Sequence, residues 1–141
     1  KLPLKLVVAV PEFPLSTRMA RSVLPEQVPL KDAIFNVSRA SLLVASLCRG
    51  NTHFLQHAFE DALHQPYRAK LIPGMYDVIK AAKGAGALGA SMSGAGPCLI
   101  AFTLENAQKV GEAMTGVFKT NDIDARYLLL DIDTRGVSIL H

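Results

Sequence analysis

The segment from Leu4 to Val10 is a β-rich apolar run that ends at Pro11 and Pro14. Such a run predicts a strand covered on both faces. Ser16 and Thr17 are both suited to cap a short helix from Arg18 to Leu24, which Pro25 stops. Pro25 to Pro29 reads as a turn. Beyond it, Ile34, Val37, Ser41, Val44 and Cys48 fall on one face of a 3.6-residue period. This predicts a helix from Leu30 to Arg49 with Gly50 as its C-terminal cap. Asn51 caps a second helix, His53 to Leu63, closed before Pro66. Pro73 opens a third through Met75, Ile79 and Ala82, and Gly84 ends it.

Ala87 to Met92 and Cys98 to Leu104 are two strand candidates joined by Ser93-Gly94-Ala95-Gly96-Pro97. Glu105 to Lys119 is an amphipathic helix with Ala107, Val110, Met114 and Phe118 on one side. Ala125 to Ile132 reads as a strand, followed by a short one over Gly136 to Leu140. The order is β, helices, β, β, helix, β. It predicts an α+β fold with a ferredoxin-like split βαβ sheet, mostly antiparallel, with extra helices in the first crossover and the helices on one face. The 141 residues form one domain in this reading.

Composition narrows the class. Half the residues are hydrophobic and 19% are charged, which excludes disorder. No apolar run reaches the ~18–20 residues that span a bilayer, and no secretory leader is recognisable, so no membrane partner is expected. Cys48 and Cys98 belong to no CxxC pair, and a reducing cytoplasm is the expected setting. The Asn36-Val37-Ser38 sequon is read as chance. Basic residues outnumber acidic ones eleven to six as far as Leu104 and fall behind four to six thereafter. They form no basic stripe, so no nucleic-acid partner is expected; a few arginines suit a small anionic ligand better. His53 and His57 lie four apart on one helix face, but Phe54 stands where HExxH needs Glu, and no third ligand is evident. No metal site is expected.

Five of the ten glycines, Gly84, Gly86, Gly89, Gly94 and Gly96, fall within thirteen residues. Gly84 to Gly89 formally matches GxGxxG, but a helix precedes it and a strand follows, the reverse of a dinucleotide fingerprint. Gly89 to Gly94 has the spacing of a Walker A loop, yet Ala95 stands in place of its lysine. Ser91 to Pro97 is then a loop between two strands. An ordinary hairpin and an anion-binding nest of backbone N–H groups both fit it.

Gly89-Ala90-Ser91-Met92-Ser93-Gly94-Ala95-Gly96-Pro97-Cys98 resembles the third, C-terminal signature of the GHMP kinases, with its Ser-Gly-x-Gly-Pro core between two strands. Two further stretches resemble the homoserine kinases within that superfamily: Ser16-Thr17-Arg18-Met19-Ala20-Arg21 running on to Leu24-Pro25, and Pro66-Tyr67-Arg68 running on to Leu71-Ile72-Pro73-Gly74. The N-terminal signatures, including the Pro-x-x-x-Gly-Leu-Gly-Ser-Ser-Ala phosphate loop, do not occur here. The resemblance therefore implies the C-terminal domain of such a kinase over residues 1–141, with its N-terminal half as partner and a homodimer as a compatible assembly.

The activity it implies is ATP-dependent phosphorylation of homoserine in threonine biosynthesis. ATP and Mg²⁺ would be held mainly by the N-terminal half, and this chain alone is expected to be inactive. Residue by residue, Arg21 and Arg68 match arginines that hold the homoserine carboxylate, a task suited to a planar bidentate cation. Thr17 matches a residue near the transferring phosphoryl group. Ser93, Gly94 and Gly96 belong to the active-site loop. Another GHMP kinase, or a non-catalytic amino-acid-binding module, would share part of this pattern.

Overall fold

The computed structural model describes residues 3–133, 136, 137 and 139. Four strands form one sheet: β1 (Lys5–Pro11), β2 (Gly89–Met92), β3 (Leu99–Thr103) and β4 (Ala125–Asp131), in the order β2-β3-β1-β4. Every neighbouring pair is antiparallel. Val7 lies opposite Ala101 on one side and Leu129 on the other, and Ala90 lies opposite Ala101. This is the expected split βαβ arrangement. The last strand expected, Gly136 to Leu140, falls in part outside the described residues, and Gly136, Val137 and Ile139 are not in a strand.

Six α-helices among the described residues follow the sequence pattern with instructive exceptions: α1 (Thr17–Ser22), α2 (Leu30–Arg49), α3 (Leu55–Ala58), α4 (Gln65–Arg68), α5 (Met75–Gly84) and α6 (Ala107–Thr120). Ser16, not Thr17, caps α1; its Oγ accepts the Met19 N–H at 3.1 Å. The helix expected from His53 to Leu63 stops at Ala58. Beyond it, side chains take over the backbone donors: Asn36 Oδ1 accepts the Ala62 N–H, and the Asp61 carboxylate accepts those of Leu63, His64 and Gln65. Pro66 then sits at the start of α4 rather than beyond a helix end, where its missing N–H costs nothing.

The core lies between the sheet and α5 and α6. Val7, Ala9, Leu99 and Ala101 meet Val78, Val110, Met114 and Phe118, all fully buried. Helices also reach the opposite face, contrary to the one-sided expectation. Phe59, just after α3, lies tilted on Phe102 with ring centroids 4.8 Å apart. A Cβ at Gly89 would fall 2.0 Å from the Phe59 ring, so only glycine lets this ring sit down on β2. That cover stops short of β1 and β4. Leu6, Val8 and Val10 remain half-buried and Leu128 and Leu130 exposed, so β1 is fully covered on one face only.

α2 turns its polar-interrupted side inward, with Phe35, Asn36, Arg39 and Leu43 partly buried and Ser46 buried. The stripe of Ile34, Val37, Ser41, Val44 and Cys48 points outward; Ile34 is 60% exposed and Val37 66%. Arg39 pairs with Glu60 at 2.9 Å across the joint between α2 and the α3–α4 connection.

Candidate functional site

The loop from Ser93 to Cys98 is a tight hairpin. Ser93 N–H donates to the Cys98 carbonyl at 2.8 Å, and Gly96 N–H to the Ser93 carbonyl at 3.1 Å. Gly94 takes φ +61° and Gly96 φ +82°, the left-handed region that side chains avoid. The two glycines are held differently. A Cβ on Gly96 would meet Ile72 Cδ1 at 2.8 Å and Met92 Sδ at 3.2 Å, whereas one on Gly94 would point into open space. The N–H groups of Gly94 and Ala95 find no acceptor among the described residues. The hairpin and the nest are thus not exclusive, since this turn leaves the Gly94 and Ala95 amides without a described acceptor.

Arg68 joins this loop to two other parts of the chain. It closes the single turn of α4 and is only 7% exposed. Its Nε–H donates to the Ala20 carbonyl in α1 at 2.8 Å, and its Nη1–H to the Gly94 carbonyl at 3.2 Å. No carboxylate among the described residues pairs with it. A buried guanidinium without a counter-charge favours an anion brought from outside.

The guanidinium borders a pocket of about 530 Å³ beneath α2. Phe59, Ile100 and Phe102 give it an apolar floor, and Gln65, Arg68, Ser93 and Gly94 gather at its polar side. Of the residues singled out in the sequence, Arg68, Ser93 and Gly94 therefore share one cavity wall. Gly96 braces the loop from behind. Thr17 and Arg21 do not line the cavity. They are exposed on α1, tied to the site because Arg68 grips the Ala20 carbonyl between them, and the Arg21 guanidinium bonds to no described residue.

Two residues escaped the sequence reading. Gln65 is buried; its Oε1 accepts the Met92 N–H and its Nε2 donates to the Phe59 carbonyl, both at 3.3 Å, so it bolts α4 to β2. Asp61 gathers the backbone donors ahead of α4 and accepts Asn36 Nδ2–H at 2.6 Å. Burial pushes the Asp61 carboxyl up, but the hydrogen bonds from Asn36 and from the Gln65, His64 and Leu63 amides outweigh it, and the group sits below its ordinary value. The signal for this was present: an Asp four residues before a Gln-Pro helix start. His53 and His57 are exposed, and no group of three or more His, Cys, Asp or Glu among the described residues is placed to hold a metal ion. No helix among them is long and apolar enough to cross a membrane.

The family model described as GHMP kinases C terminal matches residues 43–120. The homoserine kinase of Persephonella marina is 48% identical over 136 residues, covering 96% of this chain and 45% of that protein. That of Aquifex aeolicus is 42% identical over 137 residues, covering 96% and 46%. The crystal structure of homoserine kinase from Cytophaga hutchinsonii superposes with a TM-score of 0.91 at 35% identity, over 96% of this chain and 44% of that one. The chain thus spans somewhat less than half the length of these relatives. Its matched segment holds the glycine hairpin, α4 with Arg68 and the core helices α5 and α6, and the chain belongs to the GHMP kinase family, of which it carries the C-terminal part.

Proposed function

We propose that this chain is the C-terminal half of a homoserine kinase, which transfers the terminal phosphoryl group of ATP to the hydroxyl of L-homoserine in threonine biosynthesis in the cytoplasm. The observation that carries the reading is Arg68: a buried guanidinium with no acidic partner among the described residues, beside a pocket of about 530 Å³, and spanning two backbone carbonyls. Relatives named homoserine kinase along nearly the whole chain supply the substrate class.

Phosphoryl transfer needs positioning and charge stabilisation more than covalent help. Arg68 takes one side of the substrate carboxylate, and Arg21, exposed on α1 and bonded to no described residue, takes the other. The Thr17 hydroxyl, one turn earlier, faces the transferring group. The free amides of Gly94 and Ala95 donate toward the bound anion. ATP lies mainly against the N-terminal half, the partner that completes the site. Mg²⁺, where bound, would neutralise charge on the phosphates, and its ligands would come from that half as well. The test is ADP release by the intact enzyme, with homoserine set against other small alcohols. Homoserine is expected to be preferred, and turnover of a substrate lacking the carboxylate at an equal rate overturns the reading.

A further inference from the structure

Arg68 sits on a helix that cannot hold itself. α4 is a single turn with two backbone hydrogen bonds, Arg68 N–H to the His64 carbonyl and Ala69 N–H to the Gln65 carbonyl, running into a 3-10 turn over Ala69–Leu71, and so short a helix fixes more backbone dihedrals than its bonds repay. Its cap residue, His64, makes no side-chain cap bond. The turn is closed by Arg68 N–H donating to the His64 carbonyl at 3.1 Å, so the start of α4 fixes the backbone from which the Arg68 side chain leaves.

Asp61 holds that start. Its Oδ2 accepts His64 N–H at 2.8 Å and Gln65 N–H, and its Oδ1 accepts Leu63 N–H at 3.2 Å. Asp61 is in turn held from α2. Asn36 Nδ2–H donates to Asp61 Oδ1 at 2.6 Å, while Asn36 Oδ1 accepts Ala62 N–H at 2.8 Å. The result is a two-sided clamp: one amide reads a side chain and a backbone group of the same loop. Lost donors here would stay half-buried and unpaired, so the clamp is firmly specified. Asn36, Asp61 and Arg68 all border the same pocket.

We propose that Asp61, held by Asn36, is the positioning residue for Arg68: it fixes the one-turn helix that aims the guanidinium at the substrate carboxylate. The proposal rests on the homoserine kinase reading and extends it to residues that touch no substrate. Its chemistry is one of geometry. A bidentate pair demands orientation within narrow limits, and a small displacement of one anchor weakens binding of that substrate alone.

The test uses the intact kinase. Asp61→Asn puts an amide donor where the clamp needs an acceptor. It is expected to raise the homoserine KM about tenfold and to leave the ATP KM within about twofold. The exchange Asn36→Asp with Asp61→Asn restores one donor facing one acceptor and is expected to return the homoserine KM close to wild type. Asn36→Ala, which leaves the Asp61 caps in place, is expected to raise that KM severalfold and keeps the test alive if Asp61→Asn does not fold. An unchanged homoserine KM with a lowered kcat, the mark of a smaller folded fraction, overturns the proposal. Arg68→Leu separates the two levels. If it leaves the homoserine KM unchanged, the carboxylate reading falls. If it raises KM while Asp61→Asn and Asn36→Ala do not, only the clamp falls.

Discussion

The Nε–H of Arg68 donates to the carbonyl of Ala20, 48 residues earlier in the chain, at 2.8 Å. With the Gly94 carbonyl on Nη1, this makes one side chain the meeting point of α1, α4 and the glycine hairpin. Arg68 thus holds the loop, and in the function proposed above it also meets the substrate; substitutions separate the two tasks.

Arg68→Leu in the intact enzyme is expected to raise the homoserine KM by one to two orders of magnitude (roughly), because charge-assisted bidentate bonds disappear, while the ATP KM stays nearly constant. Arg68→Lys keeps the charge but can present only a point donor, so it is expected to recover little of the loss. Steady-state kinetics with each substrate varied in turn decide. Equal effects on both substrates would assign Arg68 to folding alone.

The two loop glycines predict different failures. Gly94 has open space where a Cβ would go, so Gly94→Ala meets only the cost of left-handed backbone, about 1–2 kcal/mol. Gly94→Val is expected to abolish most activity while the protein still folds, since the strand pairing outside the loop is untouched. Gly96→Ala adds a collision with Ile72 Cδ1 to the backbone strain and is expected to lower the thermal midpoint more than Gly94→Ala does. Thermal melts set beside turnover check this. Near-normal activity in Gly94→Val would make the loop an ordinary hairpin.

Asp61 gives the fold a pH dependence of known sign. Its carboxyl is held below the ordinary value in the folded protein, since bonds from Asn36 and three backbone amides outweigh its burial. A depressed folded pKa adds stability that is present above the unfolded value, about 3.9, and is lost as pH falls through the folded one. The difference in denaturation midpoint between wild type and Asp61→Asn is therefore expected to be largest near neutrality and to shrink toward pH 3. A difference that stays constant over that range would mean the Asp61 charge is not what the clamp uses.

What could be read from the sequence was whatever rested on local periodicity. Val7, Ala9, Leu99 and Ala101 alternate, and Val110, Met114 and Phe118 recur at helical spacing, so the sheet and α6 were legible. The helix expected through Leu63 was not, because what breaks it is a contact between Asn36 and Asp61, 25 residues apart. Arg68 stood out only through family resemblance; nothing in Pro66-Tyr67-Arg68 announces a buried guanidinium. The hairpin and nest readings of the loop looked like rivals because composition cannot say which amides a turn consumes. Ser93 and Gly96 spend theirs internally and Gly94 and Ala95 do not.

The apolar stripe of α2 lies outside the core that this chain builds for itself. Ile34, Val37 and Val44 lie outward, each at least 60% exposed, while Leu55, beside them in the α2–α3 pair, is fully buried. The core between the sheet and α5 and α6 is complete without the stripe. The isolated chain is therefore expected to melt cooperatively yet to release no ADP from ATP and homoserine, since the phosphate-binding half is not in it. Within that chain, Val37→Lys is expected to shift stability by no more than about 0.5 kcal/mol, the usual range for exposed positions. Leu55→Ala is expected to cost about 2–5 kcal/mol, the range for a buried leucine. Circular dichroism melts of the three proteins and a coupled ADP assay check these statements together. A Val37→Lys chain destabilised as severely as Leu55→Ala would show that α2 packs through its stripe, and steady turnover by the pure chain would show that the site is complete within it.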